Sequence, residues 1–205
     1  MKRRGILVIV CLLMAGALVG CSGASLNMKK VEKTTVGVAK DGTVKEMVVE
    51  KLDQGYYSFD EMAKYINGQV DEFNLENPAT NAKGKSINAV TVDSIDKDED
   101  SDTVRVASTY ASADIYTLFT GQKIEVVDIS ESAVLSEYDF VEYKTGDNKS
   151  YDDFSSESGL KAVITDFPVD VMVAAKVMYY SKNAVSVDKK TCTTAEGETS
   201  VIIYK

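Results

Sequence analysis

The first 21 residues constrain the rest of the chain more than any other segment. Lys2, Arg3 and Arg4 precede an uncharged, mostly apolar run at 6–19, which leads through small residues to Cys21. That run is shorter than the ~20 residues a membrane-spanning helix needs. A basic start, a short apolar stretch and a small residue before the cut form the pattern of a secretory signal. Residues 1–20 are therefore read as a removable leader. What must fold is the 185 residues from 21 to 205, a length that suits one domain with its own core.

Leu18, Val19, Gly20 and Cys21 together resemble the lipobox of bacterial lipoproteins. The resemblance implies that Cys21 carries a diacylglyceryl group on its thiol after cleavage just before it. It also implies that the chain is held by that lipid at the extracytoplasmic face of the cell membrane. Residues 21–33 then read as a lipid-anchored tether, with Lys29, Lys30 and Lys33 against one Glu32. The remainder, residues 34–205, holds 17 Lys and Arg against 31 Asp and Glu, a charge of −14. Lysines next to a bilayer are drawn to anionic lipid and an acidic globule is repelled by it. The domain is expected close to the membrane but off it.

Composition excludes several functions. The chain has no His, which removes the commonest general base, the usual zinc ligand and any Ser-His or Cys-His pair. A net charge of −9 argues against nucleic acid as a partner, since phosphate binding needs surplus Lys and Arg. Of three Cys, Cys11 leaves with the leader and Cys21 is capped, so Cys192 is the one free thiol and no internal disulfide forms.

The patterning predicts a single α+β domain, mostly antiparallel sheet, with one main amphipathic helix and a short second one. Runs at 34–40 and 43–52 flank Asp41-Gly42, the dipeptide of a two-residue hairpin turn. Ser58 and Glu61 have capping-box spacing. Met62, Ile66, Gln69, Val70 and Phe73 then recur at helical intervals until Asn77-Pro78. Strands are expected at 87–95 and 103–110, the second with strict alternation, and at 123–129. Ser112 opens a short helix that ends before Gly121. Residues 140–144 and a turn through Asn148 lead to a polar loop. The end of the chain is strand-rich, at 161–167, 169–173, 176–181, 184–187 and 200–204. A separate C-terminal subdomain, split near Leu135, is the alternative.

Tyr56-Tyr57-Ser58-Phe59-Asp60-Glu61, the segment 112–121 and the closing Ile202-Ile203-Tyr204-Lys205 together resemble a group of small lipoproteins from clostridia-type Gram-positive bacteria. The resemblance spans nearly the whole mature chain. Its members are uncharacterised, so it implies no activity and transfers no site residue.

The sharpest local feature is Asp96, Asp98, Asp100 and Asp102, acids at alternate positions. Calcium loops use that spacing because oxygens at 1, 3 and 5 can wrap a hard cation. Ser101 stands where such a loop needs Gly, and Ala107 where it needs a bidentate Glu, so the site would be weak. A solvated hairpin loop explains the acids as well. Lys144-Thr145-Gly146 and Ser158-Gly159-Leu160-Lys161 match penicillin-recognising motifs, but in reversed order, and Ser-x-x-Lys recurs at Ser94 and Ser186. That chemistry is rejected. No partner motif selects a carboxylate pair, and Cys192 has no activating base. Strand neighbours face opposite ways, so Tyr56-Tyr57 and Tyr179-Tyr180 could each offer one ring to a partner, but packing within a sheet is the favoured explanation of both pairs. The sequence thus points to a non-enzymatic envelope lipoprotein that binds a partner, a protein above all, with no required cofactor. A solute- or ion-binding accessory lipoprotein is the runner-up, and a His-free cell-wall hydrolase comes third.

Overall fold

The computed structural model describes residues 26–52, 58–81, 83–98 and 100–205. Its first half runs β1 (Thr35–Val38), β2 (Val44–Lys51), α1 (Phe59–Glu76), β3 (Ala79–Thr80), β4 (Ser86–Ile87), β5 (Val90–Lys97), β6 (Thr103–Tyr110), α2 (Ala113–Thr120) and β7 (Ile124–Asp128). The second half adds β8 (Phe140–Glu142), β9 (Asn148–Lys149), β10 (Lys161–Thr165), β11 (Asp170–Val173), β12 (Val177–Ser181), β13 (Val185–Ser186), β14 (Thr191–Thr193) and β15 (Ser200–Tyr204). The fold is α+β with antiparallel pairing dominant, as the patterning predicts.

Seven strands form the first sheet, in the order β13-β14-β11-β1-β2-β6-β5. Six form the second, in the order β7-β10-β15-β12-β8-β9. β3 and β4 make a small ribbon apart. Among the described strands β1 and β11 are the parallel neighbours. Because β11 lies between β1 and β14, C-terminal strands complete the sheet that the N-terminal hairpin begins. A cut near Leu135 would remove three of its seven strands.

Local chemistry accounts for the element ends. Ser58 caps α1 by accepting from the Glu61 amide at 3.3 Å, and Asp60 and Glu61 complement the dipole of the first turn. Ser112 caps α2 in the same way, and Gly121 closes it in the left-handed region, φ +74°. The hairpin turn differs from expectation. Ala39 pairs with Thr43 and the Gly42 amide donates back to the Ala39 carbonyl at 3.1 Å, so three residues form the loop. Gly42, φ +87°, serves as the glycine of a bulged turn instead of the second residue of a two-residue one. The run at 87–95 is interrupted at Asn88-Ala89, giving β4 and then β5. β14 has no counterpart among the expected strands; three residues are too few to show a period.

The two sheets pack face to face. Val36, Val38, Val44, Val171 and Val173 of the first meet Val163, Val177, Ile202 and Tyr204 of the second. Val70 and Phe73 of α1, with Tyr116 of α2, enlarge the same core. The far face of the second sheet is also buried. Turns at Ile129–Glu131, Ala133–Glu137 and Tyr151–Asp153 bring Ile129, Leu135, Phe154 and Leu160 over Ala162, Ile164, Val201 and Ile203. Among the described residues, 26–33 are the segment that lies against the far face of the first sheet.

Candidate functional site

Helix α1 has two stripes. Met62, Ile66, Val70 and Phe73 are the buried or half-buried one, which packs toward β5. Gln69, expected with them, is exposed. Asn74 binds the helix to that strand, donating to the Val90 carbonyl and accepting from the Val90 amide, both at 2.8 Å. The outward stripe is Glu61, Tyr65, Gly68, Glu72 and Leu75, spaced by fours and threes so that they align on one face. Tyr65 is 68 % exposed and Leu75 86 %. A shallow depression of about 500 Å³ lies along Glu61, Lys64, Tyr65, Gly68, Gln69 and Glu72. Gly68 forms its floor: it is helical, and nothing stands within 4 Å of where a Cβ would be. An interior helical Gly costs about 1 kcal/mol relative to Ala. Neither backbone conformation nor core packing requires Gly at this position.

The second surface is the outer face of the first sheet. Period-two alternation places Lys45 and Met47 of β2 and Arg105 and Ala107 of β6 on it, with Gly37 of β1 beside them. Residues 26–33 cross this face as a strap. Met28 is 6 % exposed. A Cβ on Gly37 would stand 2.8 Å from Met28 Sδ and 2.9 Å from Leu26 Cδ1, so the missing side chain is what lets the strap lie flat. The Arg105 guanidinium donates to the Val31 carbonyl, and Thr34 Oγ1 accepts from the Val49 amide at 3.1 Å. The segment read from the sequence as a tether is thus docked from residue 26 onward. A groove of about 650 Å³ on one side of it is bordered by Lys29, Lys45, Arg105, Asp93 and Asp96. Another, of about 440 Å³ on the other side, is bordered by Met172, Asp188, Lys189 and Lys190.

Behind that face sits a buried acid. Glu46 points inward between Val44 and Val48 and is 8 % exposed. Tyr110 donates to its Oε2 at 2.7 Å, and the Tyr116 hydroxyl lies 3.1 Å from its Oε1 and 2.8 Å from Gln122 Oε1. Desolvation raises the Glu46 pKa against the lowering effect of the two phenols. One phenolic proton cannot serve both of Tyr116's neighbours. A protonated Glu46 resolves this by donating to Tyr116, which then donates to Gln122; a turned Gln122 amide donating to Tyr116 resolves it for the ionised acid. Burial, and next the Glu46 charge, push both tyrosines far above their ordinary range. Both tyrosines belong to the core and Gln122 lies exposed just past the end of α2, so the cluster ties β2, β6 and α2 together. The signal in the sequence was a carboxylate at an inward position of an alternating strand.

The residues singled out by motif do not converge. Cys21, with Leu18, Val19 and Gly20, lies outside the described residues, as do Tyr56 and Tyr57. The Asp98 carboxylate accepts from the Asp100 amide at 3.0 Å and from Ser101 Oγ at 2.9 Å, bonds that hold its pKa below the usual range. Asp102 pairs with Lys97 at 2.8 Å and takes φ +50°, Asp100 is exposed, and Asp96 is turned to the outer face of the sheet at the end of β5. Among the described residues no three acidic, His or Cys side chains come together as metal ligands would. Tyr179 and Tyr180 do face opposite ways, but each meets a core, because the second sheet is covered on both sides. Tyr179 stacks on Phe154 at 4.2 Å and donates to Glu157 at 3.0 Å; burial first, then that bond, pushes its pKa up to about 12. Cys192 is fully buried, and desolvation raises its thiol to about 12. Lys144-Thr145-Gly146 forms the β8–β9 turn, whereas Ser158 precedes β10, where Lys161 pairs with Asp128 at 3.2 Å.

Comparison with protein-family models, with curated proteins and with solved structures gives no match to this chain.

Proposed function

We propose that this chain is an extracytoplasmic lipoprotein, anchored through Cys21, whose domain binds a protein partner along the outward stripe of α1. The observation that carries the reading is Gly68, an interior helical glycine between exposed Tyr65 and exposed Leu75. A notch flanked by an aromatic ring and two acids, with Lys64 also at its edge, suits a partner that offers an apolar side chain with a basic neighbour. The acids Glu61 and Glu72 add steering toward such a surface. Nothing in the stripe performs a reaction, and the role is binding.

The test is photo-cross-linking in living cells from a probe at Tyr65, compared with one at exposed Ser136, in the turn over the far face of the second sheet. A reproducible adduct from position 65 alone is expected. Adducts absent at both positions, or equal at both, would overturn the reading. Gly68→Ala gives an independent check. It is expected to stabilise the fold by about 0.5–1 kcal/mol, since Ala is the better helix former, while reducing adduct yield by filling the notch. The anchor is read separately, from incorporation of labelled lipid that Cys21→Ala abolishes.

A further inference from the structure

The strap carries an orientation. Lys29, Lys30 and Lys33 belong to residues 26–33, which are docked on the outer face of the first sheet, so their charges are held to that face. Lys45 and Arg105 lie beneath them, and Lys189 and Lys190 border the far groove. The acids on the same face are Asp93, Asp96, Asp170 and Asp188, with Glu32 on the strap, while Glu46, which also lines a groove, is buried behind the sheet. This face therefore has a basic surplus on a chain whose residues 34–205 carry −14. The opposite flank, where α1 lies, presents Glu61, Asp71, Glu72 and Glu76.

We propose that the strap-bearing outer face of the first sheet is turned toward an anionic lipid bilayer, leaving the acidic stripe of α1 to face away from it. This rests on the reading of Cys21 as the lipid anchor. From Cys21 to Leu26 is five residues, at most ~18 Å of extended chain. Since Leu26 is already seated against Gly37, the basic face cannot stand farther than that from the lipid. A fully stretched tether would put the face just over two Debye lengths of ~8 Å away, where the potential is largely screened; the attraction acts when the tether is slack and the lysines lie within about one. Anionic lipid attracts the basic face and repels the acidic one, and both torques turn the domain the same way. On a freely jointed tether the three strap lysines would approach the lipid without turning the domain; docked, they add their pull to one fixed face of it.

The experiment uses the lipidated protein, purified from its own membranes and placed in equimolar phosphatidylglycerol–phosphatidylcholine vesicles. A fluorophore is attached at Thr91→Cys, on the outer face of β5, or at Gln69→Cys, on exposed α1. Buried Cys192 takes no label under native conditions. With nitroxide on the lipid headgroups, quenching at position 91 is expected to exceed that at 69 several-fold. The difference should collapse in phosphatidylcholine alone, in high salt, and when Lys29, Lys30 and Lys33 are all changed to Glu. Equal quenching at both positions, or a difference indifferent to lipid charge and salt, overturns the orientation while the anchor stands. A chain that carries no labelled lipid and does not float with vesicles overturns the anchor, and this inference with it.

Discussion

The two sheets share one core yet are built to different rules. The central strands of the second, β10 and β15, are buried at nearly every position. In the first, β6 and β11 alternate, each second residue being buried, whereas β1, the strand under the strap, is buried throughout. The difference comes from what lies behind each sheet. The second has turns and Phe154 packed on its far face; the first has one strap and open grooves. A sheet covered on both sides can be apolar throughout, whereas one covered on one side must alternate. The lesson is that the second sheet has both faces committed to a core, while the first commits one and keeps the other to present a surface.

Substitutions can break that comparison. Phe154 is fully buried, stacked on Tyr179 and edge-on to Phe140 at 5.1 Å. Phe154→Ala is expected to cost about 3–5 kcal/mol in urea unfolding, while Thr91→Ala on the open face changes stability by less than ~0.5 kcal/mol. Comparable losses would mean the two faces are not different in kind.

Next in size is Glu46. Glu46→Ala strips two buried phenols of their acceptor and is expected to cost about 1–3 kcal/mol. The pH dependence has a definite sign. A carboxyl whose pKa is raised in the fold binds its proton more tightly there than in the unfolded chain, so its contribution favours folding at acid pH. That contribution is lost as pH rises from the ordinary glutamate range through the raised value of Glu46. Subtracting the stability profile of Glu46→Gln from that of the native chain should leave this falling slope. A flat difference would show that the acid is ionised at no cost.

The strap sharpens the comparison from the other side. Met28→Ala should cost about 1–2 kcal/mol at most, since it removes one apolar anchor from a sheet face and not from a core. The same change should open residues 26–33 to proteolysis while the β10–β15 amides keep their protection against hydrogen exchange. Loss of protection in both sheets would make the strap part of the folding core.

The smallest effect is expected at the β5–β6 hairpin tip. Because Asp98 is engaged by its own turn and Asp102 by Lys97, ~5 mM calcium should move Tm by less than ~1 °C. A rise of several degrees would show that the four aspartates do gather around the ion.

Much of this architecture was legible in the residues, for reasons that are local. Ser58 and Ser112 satisfy helix-end amides within three residues of themselves. The alternation of β6 reports one-sided burial. Other features were hidden because they depend on residues far along the chain. The outward stripe of α1 was readable in principle as a second period on the same helix, but the exposure of Tyr65 emerges only once Met62 and Val70 have chosen the inner side. For Tyr179-Tyr180 alternation told only that two rings face opposite ways; that both ways lead to a core, the packing already favoured, depends on what covers the second sheet. Glu46 could be placed in a strand, yet its partners Tyr110 and Tyr116 lie 64 and 70 residues away.

By itself the sequence determined the fold class, both helices with their caps, the hairpins, and the separation of a basic N-terminal stretch from an acidic domain. These follow from periodicity, capping and charge, which act over a few residues. Tertiary structure alone decided that β11 joins β1, that the second sheet is buried twice, and that the expected tether is a strap. Each of these is a contact across the chain, chosen by which apolar faces remain to be covered after the local elements have formed.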